Sequence, residues 1–230
     1  MDNKPLMSVL IPAYNEHQTI LSIIKRVRDV PLDKEIIIIN DASTDDTSRL
    51  LDSIVDKSIR VINLPENRGK GAAIREGLKI AKGEIIIIQD AGLEYDPNEY
   101  PMLIKPILEG KTNIVYGSRV LKKNPYSYLR YYIGGRTITA ITNILYGSNL
   151  TDEPTCYKVF RGRLLDDVEL TEAGFGFCPE ITAIFLKKGE KIIEIPISYS
   201  PRSIEEGKKI KWIDGLKAIW ILFKYRFGGT

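Results

Sequence analysis

Acidic and small polar side chains cluster in three short stretches, each directly after a run of apolar residues. The stretches are 13–16 (AYNE), 40–45 (NDASTD) and 90–96 (DAGLEYD). Carboxylates in such loops suit Mg²⁺, which takes one or two of them and fills its shell with water and substrate phosphates. A basic, glycine-rich stretch at 68–71 (RGKG) adds positive charge. Together these residues predict a site for a nucleoside diphosphate held with a divalent cation.

A simpler interpretation stays open for part of this set. Asp90 and Asp96 stand where a strand meets a helix, and turn and capping residues are common there. For Asp96, directly before Pro97, capping is the favoured interpretation. Asp90 follows four consecutive isoleucines and a glutamine, and a turn alone explains it less well.

Two familiar phosphate-binding motifs are absent around Gly71. The sequence does not match the GxxxxGKS/T pattern, because alanines follow Gly71 instead of Lys and Ser or Thr. The dinucleotide fingerprint fails because GKGAAI lacks the third glycine and follows the third predicted strand, not the first. The single histidine, His17, argues against a Ser-His-Asp triad and against a histidine-rich metal site.

Alternating strands and helices must position these loops. Short isoleucine- and valine-rich runs predict buried strands, and apolar residues at helical spacing between them predict helices. This order indicates an α/β fold with a mainly parallel sheet, helices on both faces and right-handed crossovers. Strands are predicted at 8–12, 35–39, 59–64, 85–88, 113–117, 155–160 and 191–199, and helices include 98–109, 128–146 and 179–188. The last strand is expected to be antiparallel or at an edge, because Pro196 weakens its ladder.

Composition is that of a globular protein, with 43% hydrophobic and 27% charged residues. We predict one domain, with a nucleotide-binding half at about 7–120 and an acceptor half at about 121–230.

Cys156 and Cys178 lack metal-ligand spacing and are expected to be buried thiols in a reducing compartment. We expect no signal peptide and no membrane span, since no sufficiently long apolar run occurs.

Residues 201–230 carry the basic excess of the chain, with seven basic and three acidic residues. Large apolar residues recur there at helical spacing with lysines around them. They are Trp212, Leu216, Ile219, Trp220, Phe223 and Phe227. An apolar face with tryptophans and flanking lysines is typical of a helix at an anionic membrane surface. A helix that packs on the body of the protein or on a second copy is an equally open interpretation.

Eight motifs in order resemble one known family. IPAYNE at 11–16, NDASTDDT at 40–47, NRGKGAAIREGL at 67–78, QDAGLEYDP at 89–97 and YGSR at 116–119 resemble glycosyltransferase family 2, with its GT-A fold. TCYKVF at 155–160, FGFCPEIT at 175–182 and the segment 194–220 are similar to the dolichyl- and polyprenyl-phosphate mannosyltransferase subfamily. The resemblance implies inverting transfer of a hexose, from GDP-mannose or a UDP-sugar such as UDP-glucose, to the phosphate of a polyprenyl lipid. It also implies a peripheral location at the cytoplasmic face of a membrane.

The resemblance implies roles for individual residues. Pro12, Tyr14, Glu16 and Asp41 would line the nucleoside pocket, and Lys70, Asp90, Ala91 and Gly92 would border the sugar and diphosphate. Asp90 and Glu94 would hold Mg²⁺ or Mn²⁺. Arg119, Lys158, Arg202 and Lys208 would meet phosphate oxygens of donor or acceptor. Asp90, Arg119 and Arg202 would be catalytic. The forked guanidinium of the two arginines suits contacts with phosphate oxygens.

The implied chemistry needs no general base. A lipid phosphate has a second pKa near 6, so it is mostly anionic at neutral pH and can attack directly. Positioning and stabilisation of the leaving diphosphate would then supply the catalysis. A soluble saccharide acceptor would need a carboxylate base, for which Glu180 is the one candidate. A nucleotide-sugar-binding protein without turnover is the remaining alternative.

Four positions depart from the family pattern. The acidic loop usually reads Asp-Ala-Asp, and Gly92 stands at its third position. Asn40 replaces a common Asp, while Pro154 and Cys178 replace common Glu residues. We therefore expect a metal-dependent enzyme with reduced metal affinity.

Overall fold

The computed structural model describes residues 4–125, 128–202, 209 and 212–228. Within these ranges seven strands form one sheet. The strands are β1 (Met7–Ala13), β2 (Lys34–Asn40), β3 (Ile59–Asn63), β4 (Ile85–Ile88), β5 (Ile114–Ser118), β6 (Lys158–Arg161) and β7 (Ile192–Pro196). The helices are α1 (Ile20–Asp29), α2 (Thr47–Asp52), α3 (Lys70–Ile80), α4 (Tyr100–Leu108), α5 (Leu129–Tyr146), α6 (Phe177–Lys187) and α7 (Trp212–Phe227).

The sheet order is β3-β2-β1-β4-β6-β5-β7, and its first four strands are parallel. Leu10, Ile37 and Ile87 on these strands are fully buried, because helices and neighbouring segments cover the sheet. The carboxyl ends of β1, β2 and β4 reach the same edge of the sheet, so the three acidic loops meet there. The predicted α/β fold with a mainly parallel sheet is confirmed.

The second half of the chain adds an antiparallel strand. β6 lies between β4 and β5 and is antiparallel to both. It begins at Lys158, three residues later than predicted, because Thr155 is held in a turn. The Thr155 amide bonds Asp152 O at 3.4 Å, and its hydroxyl donates to Gly117 O at 2.6 Å. β7 is an edge strand, as predicted, but it pairs with β5 in parallel.

Helices α5 and α7 pack against each other, and Tyr146 Oη donates to Leu222 O at 2.8 Å. The inner face of α7 carries the buried residues Ala218, Ile221 and Leu222. Its outer face is apolar as well, with Trp212 77% and Trp220 68% exposed. Among the described residues, no helix combines the length and hydrophobicity needed to cross a membrane.

Candidate active site

The loops after β1 and β2 are bonded to each other. Asn15 has φ +51°, in the left-handed region that asparagine tolerates. Its amide donates to Ser43 Oγ at 3.0 Å, and its Oδ1 accepts from the Thr44 amide at 2.8 Å. The Glu16 amide donates to Thr47 Oγ1 at 2.8 Å. These bonds make residues 13–16 and 40–47 one rim of the site.

Asp41 has an internal role. Its side chain is buried, and its two carboxylate oxygens accept from the backbone amides of Arg68 and Gly69, each at 2.8 Å. It therefore anchors the loop that leads into α3. That Asp41 also lines the nucleoside pocket stays a prediction.

The glycines of the RGKG stretch serve close packing. Gly69 has φ +89°, and a side chain at Gly71 would overlap the carbonyl oxygen of Glu172 and lie 2.7 Å from that of Ala173. The Gly71 amide donates to Gly174 O at 3.1 Å. The amides of Gly71 and Ala72 thus bind the 172–174 segment, and those of Arg68 and Gly69 bind Asp41, so the contribution of this stretch to a diphosphate site stays a prediction that falls on Lys70.

Lys70, in the same loop, does point into the site. Its Nζ donates to Asp90 Oδ1 at 2.5 Å and lies 3.6 Å from Cys156 Sγ. Burial would raise the pKa of Asp90, but the Lys70 ammonium outweighs it and lowers that pKa. The same pairing raises the pKa of Lys70 well above its usual value, against the effect of burial. Asp90 is thus an ionised partner of a fixed cation.

Arg202 joins two further carboxylates. Its Nη1 donates to Glu16 Oε2 at 2.9 Å, and its Nε lies 2.6 Å from Glu94 Oε1. Lys209 Nζ donates to Glu16 Oε1 at 2.7 Å and also to Tyr14 O. Burial, and then the charge of Asp90, raise the pKa of Glu94 in spite of the arginine. Burial would lower the pKa of Arg202, but Glu94 and Glu16 raise it.

The described residues do not fit a divalent cation well. Asp90 and Glu94, the two predicted ligands, each already hold a side-chain cation. A Cβ built at Gly92 would overlap Nη2 of Arg202 and Oε2 of Glu94. The described part of the chain contains no group of three or more His, Cys, Asp or Glu that could hold a metal ion.

The remaining predicted nucleotide-site residues lie at the same edge. Pro12 is half-buried and follows the last β1–β4 pair, Leu10 with Ile88, so its missing amide hydrogen breaks no bond to β4. Ala91 is buried beside Gly92. Asp96 caps the turn after it, accepting from the Asn98 amide at 3.0 Å, as predicted. Lys208 lies outside the described residues.

Arg119 stands at a second pocket. Its Nε and Nη2 donate to the two oxygens of Asp152, each at 2.7 Å, and its guanidinium lies 5.1 Å from the Tyr199 ring centre. Burial would raise the pKa of Asp152, but Arg119 lowers it. The pocket is lined by aromatic, polar and basic side chains, among them Asn124, Tyr128, Tyr131, Tyr132, Arg136 and Thr151. An arginine at an aromatic pocket suits a phosphate ester with an apolar remainder.

Lys158 does not reach either pocket. Its side chain is fully buried, and its Nζ donates to Glu153 O at 2.7 Å and to Thr182 Oγ1 at 3.0 Å. Its nearest carboxylate, Glu153, lies 3.6 Å away and is also fully buried. The expected phosphate contact of Lys158 is therefore wrong, since its ammonium is fully buried and hydrogen-bonded within the protein.

Glu180, the candidate base, is equally enclosed. It is fully buried, and its Oε1 accepts from the Thr171 amide at 2.6 Å and from Tyr225 Oη at 2.5 Å. The carboxylate therefore holds the 171–172 segment to α6 and α7 and has no route to a substrate hydroxyl.

Sequence reasoning missed Asp152, Lys209, Arg136 and Tyr199. Asp152 and Tyr199 flank Arg119, and Lys209 bonds Glu16 from 193 residues away. The acidic pair of the TDEPT stretch was the one available signal for Asp152. The others depend on tertiary contacts that no local pattern encodes.

This combination of sheet order, acidic carboxyl edge and antiparallel β6 defines a GT-A glycosyltransferase fold. Glucosyl-3-phosphoglycerate synthase from Mycobacterium tuberculosis, solved in complex with Mn²⁺, UDP and glucosyl-3-phosphoglycerate, shares it with a TM-score of 0.71. The likeness covers 98% of this chain and 81% of that chain at 20% identity. Residues 8–169 match the profile of the family described as Glycosyl transferase family 2, and the chain belongs to this family.

Two relatives of similar sequence are described as lipid-phosphate mannosyltransferases. The chain is 28% identical over 231 residues to dolichol-phosphate mannosyltransferase of Pyrococcus furiosus, covering 95% of this chain and 64% of the relative. It is 26% identical over 212 residues to undecaprenyl-phosphate mannosyltransferase of Micrococcus luteus, covering 86% and 85%. The chain spans 50% to 65% of the length of three of the curated relatives that it matches.

Proposed function

We propose that this chain transfers a hexose from a nucleotide sugar to the phosphate of a polyprenyl lipid, with inversion at the anomeric carbon. Mannose from GDP-mannose is the favoured donor, and glucose from UDP-glucose the alternative. Residues 7–120 would form the donor half and residues 121–230 the acceptor half of one domain. The printed activities of the two lipid-phosphate relatives support the class of acceptor.

One observation carries the choice of acceptor: the Arg119 guanidinium is fixed by Asp152 at a pocket lined with tyrosines. Arg136 lines the same pocket and donates to Thr151 O at 2.7 Å. Two guanidinium groups and aromatic walls match a phosphate ester better than an uncharged sugar hydroxyl.

The surface beside this pocket is apolar. On α5, Leu129 is 57% and Ile133 53% exposed, and Tyr132 between them lines the pocket. Exposed apolar groups next to an anion site suit a lipid phosphate, whose head is charged and whose tail is not. With the exposed tryptophans of α7, they also support contact with a membrane surface of anionic lipid. The predicted inner-face location follows the same reasoning and stays a proposal.

The direct attack of an anionic phosphate fits a site without a base. Glu180 is enclosed, and Asp152 is paired with Arg119. Arg119 and Arg136 would hold the attacking phosphate, and Lys70 and Arg202 would stabilise the leaving diphosphate. The acceptor oxygen forms the new bond to the anomeric carbon as the bond to the diphosphate breaks.

The proposed transfer assigns no role to the expected Mg²⁺ or Mn²⁺. A solved neighbour contains Mn²⁺ with UDP, but Asp90 and Glu94 are already paired with Lys70 and Arg202.

A soluble phosphorylated acceptor is the second candidate, because the Arg119 pocket would take its phosphate equally well. The solved glucosyl-3-phosphoglycerate synthase was crystallised with phosphoglyceric acid. The exposed apolar residues of α5 favour the lipid. The saccharide-acceptor alternative loses its only candidate base, because Glu180 is buried.

Turnover with radiolabelled GDP-mannose or UDP-glucose tests the proposal. We expect label to move into the organic phase when a short polyprenyl phosphate is present, and not when phosphoglyceric acid replaces it. Arg119→Lys should reduce this transfer at least tenfold, while Arg49→Lys, at an arginine that is 76% exposed on α2, should leave it unchanged. Transfer to the soluble acceptor alone would select the second candidate, and label that stays with the nucleotide would support a binding protein.

A further inference from the structure

The donor site carries as many fixed cations as carboxylates. Glu16, Asp90 and Glu94 are its acids, and Lys70, Arg202 and Lys209 are its bases. Each acid lies within 2.5 to 2.9 Å of a cationic nitrogen. These six residues are called the donor-site ion cluster below. A divalent cation that bound Asp90 or Glu94 would have to displace Lys70 or Arg202, each already in contact with one of these carboxylates.

The absence of a side chain at Gly92 leaves space for the Arg202 guanidinium. A Cβ at this position would overlap Arg202 Nη2 and lie 2.5 Å from Cζ. The guanidinium therefore occupies the space into which an aspartate side chain at position 92 would extend. A third acidic side chain and the present position of Arg202 exclude each other.

The Arg202 guanidinium is enclosed by carboxylates but is not fully hydrogen-bonded. Nε of Arg202 and Oε2 of Glu94 are buried and lack an aligned hydrogen-bond partner in the described part of the chain. The Nε atom lies 2.6 Å from Glu94 Oε1 without good alignment, so a phosphate oxygen that took the place of Oε1 would satisfy this donor. Glu94 and Glu16 keep the guanidinium in the site, with 17% of its side chain exposed.

We propose that Arg202, together with Lys70, neutralises the donor diphosphate in place of a divalent cation, so that nucleotide binding needs no metal. The inference rests on the proposed function, since it assumes a nucleotide-sugar donor. A guanidinium can donate to two phosphate oxygens at once and supplies fixed positive charge to the leaving group. Gly92 is then the change that makes the arginine site possible.

Calorimetry with UDP and with GDP tests the inference apart from turnover. We expect the wild-type dissociation constant of the nucleotide that binds to agree within about twofold in EDTA and in Mn²⁺. Arg202→Gln should weaken binding in EDTA by about tenfold or more, and Arg202→Lys by less, because lysine keeps the charge and loses the fork.

Gly92→Asp provides the converse test. The two groups it would overlap are the ends of flexible side chains, so the variant should fold, which its thermal unfolding will show. We expect it to bind nucleotide about tenfold more weakly in EDTA and to recover in Mn²⁺. Gly215→Asp, on α7 with nothing within 4 Å of its Cβ, is the matched control and should behave as wild type.

The outcomes separate the two proposals. Wild-type binding that is lost in EDTA and restored by Mn²⁺ would overturn the arginine inference and leave the proposed function standing. A Gly92→Asp protein that binds equally in EDTA and Mn²⁺ would also overturn it. Failure of wild type to bind either nucleotide in any condition would overturn both.

Discussion

Asp152 holds Arg119 through three hydrogen bonds. The backbone amide and Nε of Arg119 donate to Oδ2 at 2.8 and 2.7 Å, and Nη2 donates to Oδ1 at 2.7 Å. Only 5% of the Asp152 side chain is exposed, against 24% for Arg119. The carboxylate is therefore the buried support, and the guanidinium is the part that a ligand can reach.

Loss of the Asp152 charge should impair the acceptor step alone. In Asp152→Asn the side chain keeps its shape but no longer binds the guanidinium as an ion pair, so Arg119 loses its fixed orientation. We expect kcat/KM for polyprenyl phosphate to fall about 10- to 100-fold, which corresponds to about 1.4–2.8 kcal/mol. Nucleoside diphosphate affinity, measured by calorimetry, should stay within twofold. A parallel loss of nucleotide binding would contradict the assignment of this pair to the acceptor pocket.

Asp45 should make stability depend on pH in the acid range. Its pKa is lowered to about 2; burial opposes this shift, and hydrogen bonds from Thr47 and His17 cause it. The folded pKa lies below the unfolded one, so the stabilisation is complete above about pH 4 and is lost as pH falls toward 2. We expect Asp45→Asn to cost about 2 kcal/mol of unfolding free energy at pH 6.

The difference between wild type and Asp45→Asn should shrink toward zero near pH 2 in urea unfolding followed by circular dichroism. His17→Gln removes only the imidazole contact to Asp45, at 2.7 Å, and should reproduce part of the effect. A difference that stays constant from pH 6 to pH 2 would argue against the lowered pKa.

Lys158 should behave as a structural residue. Removing one member of a buried ion pair leaves an uncompensated charge, so Lys158→Met should cost about 3–5 kcal/mol of unfolding free energy. Both carboxylate oxygens of Glu153 are buried without a hydrogen-bond partner in the described residues. The double variant Lys158→Met, Glu153→Leu should therefore be more stable than Lys158→Met alone.

Denaturant unfolding of both variants and of Glu153→Leu measures this coupling. Nucleotide affinity of the folded protein should be unchanged in each. A Lys158→Met protein with wild-type stability and weak nucleotide binding would instead support the phosphate contact that the sequence predicted.

Gly71 should tolerate no side chain. In Gly71→Ala the added methyl would overlap the Glu172 carbonyl oxygen, which is backbone and yields little. We expect a loss of about 1–3 kcal/mol of unfolding free energy, as for other overpacked sites. Gly134→Ala, in α5 with nothing within 4 Å of its Cβ, should be neutral or stabilising, since alanine favours helices. Equal unfolding midpoints for the two variants would refute the close approach of the 172–174 segment.

The parallel half of the fold could be predicted because its signals are local. Runs such as EIIII at 35–39 predict doubly covered strands, and their carboxyl ends must share one edge. The partners of β6 and β7 could not be predicted. Alternation at 191–199 gives the two faces of a strand but not the direction of its neighbour, and β7 is parallel to β5.

The residues of the candidate site also divide into those with a local sequence signal and those without one. Asp90 and Glu94 were found because they follow an obvious strand, and Arg119 was found through the YGSR motif at 116–119 that resembles the family. Their ionic partners, Lys70 excepted, come from segments that carry no strand or helix signal, such as the stretches around Asp152 and Arg202. The close packing of the RGKG glycines could not be predicted, because their neighbours lie about 100 residues later in the chain.

The bonds from Glu16 to Arg202 and Lys209 join residues 186 and 193 positions apart. During synthesis the first four strands leave the ribosome long before these two cations do. A nascent donor site would hold Glu16, Asp90 and Glu94 with Lys70 as its only countercharge, and so would repel a diphosphate. Under the proposed function, donor binding would therefore wait until residues 202 and 209 have been synthesised.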